Sequence, residues 1–173
     1  MNTYLTYKSR QYTIILFVIL ITTSSFYVHA QDKFPDKCLG QWTGKMYMYN
    51  QGLLRDSVDV ILTIKAIDAT TWVWKTEYLS KKLPMVKDYK LRFVENNVFI
   101  TDEGDGIELL NYQFENKLYS TFETHGIYLT ANYELINDKL KFEVTSGKKK
   151  NDTNSVVNYS TDNIQSIIFS KIK

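Results

Sequence analysis

From Gln41 onward, apolar side chains return at every second position. Val58, Val60, Leu62, Ile64 and Ala66 alternate with Asp59, Ile61, Thr63 and Lys65; Tyr89, Leu91 and Phe93 alternate with Lys90 and Arg92. The same rhythm runs through Ile127, Leu129, Ala131, Tyr133 and Leu135, and through Leu140, Phe142 and Val144. A period of two places alternate side chains on opposite faces of a strand, whereas a helical stripe returns every three or four residues. No stretch after Ala30 carries that helical spacing over ten residues. Between the runs fall Asn50-Gln51-Gly52, Glu95-Asn96-Asn97, Asp105-Gly106, Glu115-Asn116, His125-Gly126 and Asn137-Asp138. These residues tolerate positive φ or bond their own backbone, which is turn chemistry. The pattern predicts strands over 41–49, 56–66, 70–79, 86–94, 97–102, 107–114, 117–123, 127–135, 139–145, 154–160 and 163–172, with a mobile polar loop over 146–154. The inward face of 107–114 and of 163–172 is left open, because both faces carry apolar groups.

Strands joined by such short loops form an antiparallel meander, and a meander this long must hide its edges. Sequential hairpins without long crossovers favour closure, so the expected fold is all-β, an antiparallel up-and-down β-barrel of about 8–10 strands. An interior of that size holds side chains and one small ligand. Lys and Glu recur opposite the apolar faces, which is the wrong exterior for a lipid-facing barrel.

The first 30 residues stand apart. Lys8 and Arg10 precede the apolar run from Tyr12 to Ile21, and Val28-His29-Ala30 follows a Thr/Ser stretch. This is the layout of a signal peptide, and the run is about half the roughly 20 apolar residues a membrane span requires. The expected organisation is a signal peptide over 1–30, a short N-terminal segment over 31–38 and one barrel domain over 39–173. The expected location is outside the cytoplasm, periplasmic or extracellular, in a bacterial host, with no stable membrane span after processing. The 173-residue chain has 21 basic and 19 acidic side chains; removal of residues 1–30 leaves 19 of each. A near-neutral chain does not steer toward phosphate, so nucleic acid is not an expected partner. The basic run Lys148-Lys149-Lys150 reads as a solvated loop.

Cys38 is the single cysteine, which excludes an internal disulfide and a cysteine-based zinc site. The preceding Pro35-Asp36-Lys37 does not suit lipidation, so Cys38 reads as a half-buried or free thiol. His125 is the one histidine after Ala30 and lies in a Thr-His-Gly turn. With no Gly-x-Ser-x-Gly and no His-Glu-x-x-His, no catalytic set is assembled, and the chain reads as a non-enzyme. Asp102-Glu103-Gly104-Asp105-Gly106 lacks the spacing of a calcium loop and suits a hairpin, so neither a metal nor a cofactor is expected. The triplets at Asn151 and Asn158 fit glycosylation only in a eukaryotic secretory route.

Leu39-Gly40-Gln41-Trp42 opens the first strand, and here the chain resembles the lipocalin and calycin superfamily, in particular small lipocalin-like exported proteins of bacteria. The resemblance implies that Gly40 lets the chain turn closely and that Trp42 plugs the closed end of the barrel. It covers Leu39 to the C-terminus in architecture but only Gly40 and Trp42 in motif. A second motif of the Thr-Asp-x-x-Tyr kind and a late Arg over the Trp are missing, since only Arg55 and Arg92 follow Ala30. The C-terminal helix of secreted lipocalins and the helical lid of fatty-acid-binding proteins are missing as well.

The most aromatic strand puts Trp72, Trp74, Thr76 and Tyr78 on one face, and large flat side chains with a few hydroxyls line apolar pockets. Met46 and Met48 share the phase of Trp42 and are pliable enough for a cavity wall. With Leu62, Tyr89, Phe93 and Phe122, these are the expected ligand-binding residues, and core filling explains them equally. Arg92 is out of phase with Leu91 and Phe93, so no inward cation is expected for a buried carboxylate. A small apolar or amphipathic molecule is therefore the expected partner. The alternative is a filled barrel acting through its surface as an interaction or inhibitor module, for which Tyr47, Tyr49, Tyr119 and Tyr128 supply outward aromatics. An interior cavity above roughly 300 Å³ separates the two readings.

Overall fold

A computed structural model describes Asp32–Lys150 and Val156–Ile172. The signal-peptide reading concerns residues outside the described ones, as does most of the loop expected over 146–154. A four-residue helix α1 (Phe34–Lys37) precedes ten strands: β1 (Gly40–Asn50), β2 (Leu53–Ala66), β3 (Thr71–Tyr78), β4 (Met85–Glu95), β5 (Val98–Gly104), β6 (Ile107–Phe114), β7 (Lys117–Thr124), β8 (Ile127–Ile136), β9 (Lys139–Lys148) and β10 (Asn163–Lys171). Each strand pairs antiparallel with its sequence neighbour, and β10 returns to β1, so the sheet is a closed barrel without edges. The alternation seen in the sequence becomes the two faces of this wall.

The turns follow the backbone requirement of tight hairpins. Gln51-Gly52, Asn96-Asn97, Asp105-Gly106 and His125-Gly126 all have positive φ at both central residues, the twist that matches flanking strands. His125 thus serves a turn, at φ 50°. Two expectations fail. Residues 156–160 form no strand but run beside the end of β9, with a Lys149–Tyr159 bridge and backbone hydrogen bonds from Lys150 to Asn158 and from Ser160 to Lys148, and β9 itself runs on to Lys148. This segment folds flat against β9: Ser160 Oγ accepts from the Lys148 amide at 2.9 Å. A Cβ on Gly147 would overlap the Ser160 carbonyl, so only glycine permits that approach.

Side chains fill one half of the barrel. Leu62, Ile64, Trp72, Phe99 and Leu140 are all buried there, and Phe34 and Cys38 join them from the segment ahead of β1. That segment closes the barrel end. The Phe34 amide donates to Gln113 Oε1 at 2.8 Å, and Gln113 Nε2 donates back to the Asp32 and Glu115 carbonyls. Trp72 Nε1 donates to Asp36 at 2.8 Å, and Lys33 lies over the Phe93 ring at 4.6 Å. Period-two reading misses this plug because a single helical turn has no periodicity to detect.

Trp42 is buried, with its indole N–H donating to the Cys38 carbonyl at 2.8 Å. The cation expected over it from the resemblance is present as a lysine: Lys171 Nζ stands 5.4 Å from the ring, and Trp42 and Lys171 are register partners. Gly40 has φ +122°, and a Cβ there would come within 2.8 Å of the Lys171 side chain. Gly40, Trp42 and Lys171 therefore form one unit. The outer wall carries ion pairs such as Lys45–Asp59, Arg92–Glu108 and Lys117–Glu134. Among the described residues no helix is long and apolar enough to cross a membrane.

Candidate functional site: the barrel interior

The other half of the barrel is not filled. A cavity of about 270 Å³ lies between Met46, the inward faces of β3–β9, and Gln165 and Phe169 of β10. Its volume falls slightly under roughly 300 Å³, so the size expected of a hollow barrel is narrowly missed and only a small molecule fits. Two larger concavities, of about 680 Å³ beside Lys37 and Lys171 and about 390 Å³ beside Tyr49 and Gly52, are open hollows at the rims rather than parts of the interior.

The cavity floor is an aromatic ladder. Phe34 of the plug lies 6.4 Å from Trp74, Trp74 meets Tyr133 edge-on at 5.1 Å, and Tyr133 stacks on Phe142 at 4.2 Å. These spacings are those of favourable ring pairs. Burial, above all, pushes the Tyr133 hydroxyl well above the usual phenol range, against a hydrogen bond with Trp74 that lowers it.

The walls differ in chemistry. The polar lining is concentrated on β3 to β7, where Thr76, Tyr78, Lys87, Tyr89, Thr101, Glu103, Asn111 and Ser120 stand among the apolar Trp74, Leu91, Leu109, Leu118 and Phe122; on β8 and β9 the lining is Leu129, Ala131, Phe142 and Val144 besides Tyr133. The polar wall is thickest toward the open end, where Tyr78 ends β3 and Glu103 lies one residue from the end of β5. Lys87 is half-buried. Burial pulls its pKa down, but the hydrogen bond with Tyr89 and the nearby Tyr78 and Glu103 outweigh it, and the ammonium ends above its ordinary value. Burial also raises Tyr78 and Tyr89, with Lys87 acting against it in both.

Of the expected ligand-binding residues, Met46, Trp74, Thr76, Tyr78, Tyr89 and Phe122 line this cavity. Met48, Leu62, Trp72 and Phe93 do not. Met48 packs against the core, Leu62 is fully buried within it, Trp72 packs on Phe99 at 6.2 Å, and Phe93 meets Phe99 at 5.3 Å in the plugged half. All four face inward, as their phase demands, but phase does not say how high along the barrel axis the packing stops. The expectation of no inward cation is overturned by Lys87, which shares the odd phase of Tyr89 and Leu91. The signal was present in Lys87-Asp88-Tyr89-Lys90-Leu91, and Arg92 drew attention from it. Arg92 itself faces outward and pairs with Glu108. Asn111 and Ser120 were also missed, because polar residues at inward positions look like outward ones.

His125 is exposed, is absent from the cavity wall, and has Thr124 Oγ1 at 2.9 Å from Nδ1. Among the described residues it has no carboxylate hydrogen-bonded to it of the kind a general base requires. Among the described residues no cluster of three His, Cys, Asp or Glu side chains is placed to hold a metal. Of the outward tyrosines, Tyr47 and Tyr119 are exposed, while Tyr49 and Tyr128 are half-buried, Tyr128 against Tyr159 at 4.6 Å.

No protein-family profile matches the chain, and no curated protein matches it in sequence. Solved structures do match in fold. The S-type phycobiliprotein lyase of Guillardia theta superposes with a TM-score of 0.61 at 7% identity, covering 82% of this chain and 92% of that one. A protein of unknown function from the DUF3598 family of Nostoc punctiforme superposes with a TM-score of 0.57 at 12% identity, over 80% of this chain and 49% of that one. At these identities the likeness is one of fold. The closed ten-strand barrel fits a lipocalin/calycin-like fold.

Proposed function

We propose that this protein is an exported barrel that binds one small amphipathic molecule in its interior. The observation that carries the reading is the open half of the barrel: a space floored by aromatics and lined by polar groups on one side, where a filled core would have continued the packing of the plugged half. Burying the ligand's apolar surface contributes roughly 25 cal/mol per Å² before ordering costs. The fold likeness to a protein named a phycobiliprotein lyase supports a ligand-holding barrel. That name also gives the non-enzyme expectation less weight than the binding one, and the binding step is common to both.

Isothermal titration calorimetry with small bicyclic aromatics should give saturable one-to-one binding. Ala131→Trp, which fills the cavity from β8, should abolish it; unchanged binding in that variant would place the ligand elsewhere. Export rests on residues 1–30, and N-terminal sequencing of protein recovered from the cell exterior should begin at Gln31. A mature form that retains Met1 inside the cytoplasm would end that part of the reading.

A second reading, action through the outer surface, draws on Leu110, Tyr112, Phe114 and Tyr119. All four are exposed on the outward face of β6 and β7, with Phe114 and Tyr119 in edge-on contact at 5.9 Å. Under that reading Phe114→Ser would alter association of the protein in sedimentation, whereas the interior reading expects no change.

A further inference from the structure

Two polar groups in the cavity wall are left with unused capacity, and they differ in kind. Asn111 is 6% exposed. Its amide nitrogen donates to Thr101 Oγ1 at 2.9 Å and to the Leu109 carbonyl at 2.8 Å, which uses both N–H groups and fixes which end of the amide is which. No donor among the described residues reaches Asn111 Oδ1. Among those residues, no fully enclosed side-chain polar atom is without a partner, so this oxygen borders the open space. A buried acceptor in that state favours an N–H or O–H from whatever enters.

Lys87 is the opposite case. Its neighbours in the cavity are the Tyr89 hydroxyl, Tyr78 and Glu103, and among the described residues no carboxylate comes within 4.0 Å of its nitrogen. Glu103 lies close enough to act on both Lys87 and Tyr89 but does not pair with Lys87. A half-buried ammonium that lacks an ion partner gains most from an anion, since a charged hydrogen bond in a partly dry site is stronger than a neutral one. Opposite both groups stand Tyr133 and Phe142, whose stacked rings offer a flat face, with Val144 beside them.

Building on the interior-binding reading, we propose that the cavity selects a small, flat, monoanionic molecule: its carboxylate is held by Lys87 with the Tyr78 and Tyr89 hydroxyls, and its own hydroxyl or N–H donates to Asn111 Oδ1. The acceptor and the cation stand on strands β6 and β4 of the same wall, so the ligand carries its polar groups along one edge and its apolar face toward β8 and β9. A long acyl chain has only one polar end and leaves Asn111 unpaired. The limited volume disfavours it too.

The probes are 6-hydroxy-2-naphthoate, its methyl ester and 2-naphthoate, titrated calorimetrically into the full barrel at neutral pH. The hydroxy acid should bind at least tenfold more tightly than the ester and severalfold more tightly than 2-naphthoate. Lys87→Met should erase the preference for acid over ester while leaving ester binding intact, and Glu103→Gln should tighten acid binding. Asn111→Ala should erase the hydroxyl preference, with circular dichroism melting to confirm its fold; Lys87 lies half-exposed at the mouth, so its variant stands as a test even if the Asn111 variant unfolds. Equal binding of acid and ester by the unaltered protein, or an acid preference that survives Lys87→Met, overturns the proposal while leaving the interior site standing. Failure of all three probes to bind overturns the interior site and this assignment with it.

Discussion

Phe34→Ala should destabilise the protein by about 3–5 kcal/mol, the usual cost of truncating a fully buried phenylalanine. Phe34 is 0% exposed although it belongs to a four-residue helix outside the sheet. Its ring fills the barrel end and backs Trp74, and its amide ties the segment to Gln113. Removing the ring leaves a void continuous with the cavity floor, because Trp74 loses the surface it leans on. Chemical denaturation monitored by tryptophan emission reads the loss, and Phe34→Leu should recover most of it by keeping the volume apolar. The cavity should bind its ligand more loosely in Phe34→Ala, since the aromatic ladder begins at this residue. A loss below about 1 kcal/mol would mean that the plug is an accessory and that the ten strands hold the interior by themselves.

The barrel was legible in the sequence because strand patterning acts on every residue: Val58 to Ala66, Ile127 to Leu135 and Leu140 to Val144 each repeat the same inward phase, and two-residue turns sit between most strands. Parity at 107–114 was not legible, because Leu110, Tyr112 and Phe114 are apolar yet exposed, while Asn111 and Gln113 are polar yet buried. Hydrophobicity chooses the face only when the polar alternatives are worse, and here Gln113 is required to hold the plug and Asn111 is held by Thr101. The extra strand expected at 154–160 failed for the related reason that Val156, Val157 and Tyr159 have strand propensity but stay exposed. Which inward residues surround empty space depends on where packing stops along the axis. That is a three-dimensional quantity, and it is why Trp72 and Trp74, two residues apart on one face, end in the filled half and at the cavity floor respectively.

Stability should fall steeply as pH rises above about 9, by roughly 2–3 kcal/mol at pH 11 from Cys38 alone. Burial raises the Cys38 thiol from 9.0 to about 12, against the lowering influence of Lys171 and Lys37. A folded-state pKa above the unfolded one means that the native state keeps a proton which the unfolded chain has released. The contribution is therefore complete below pH 9 and is lost as pH climbs toward 12. Tyr133, Tyr78 and Tyr89 are raised as well, chiefly by burial, and Lys87 is raised by its phenol and carboxylate neighbours, so each adds to the loss from about pH 10 upward. The interior groups all act in one direction because the alkaline ionisations either create an anion in a poorly hydrated space or remove the cation that offsets one. Thermal melts at pH 8, 9, 10 and 11 read the slope, and Cys38→Ala should lower it throughout pH 9 to 11, leaving the tyrosine and lysine contribution that begins near pH 10. The thiol should also resist alkylation in the native protein at pH 8 and react on unfolding, because a thiolate is the reactive form and burial suppresses it. A slope unchanged by Cys38→Ala, or rapid native-state alkylation, would show that the closed end breathes enough to hydrate Cys38, and Phe34 would then be the first contact to re-examine.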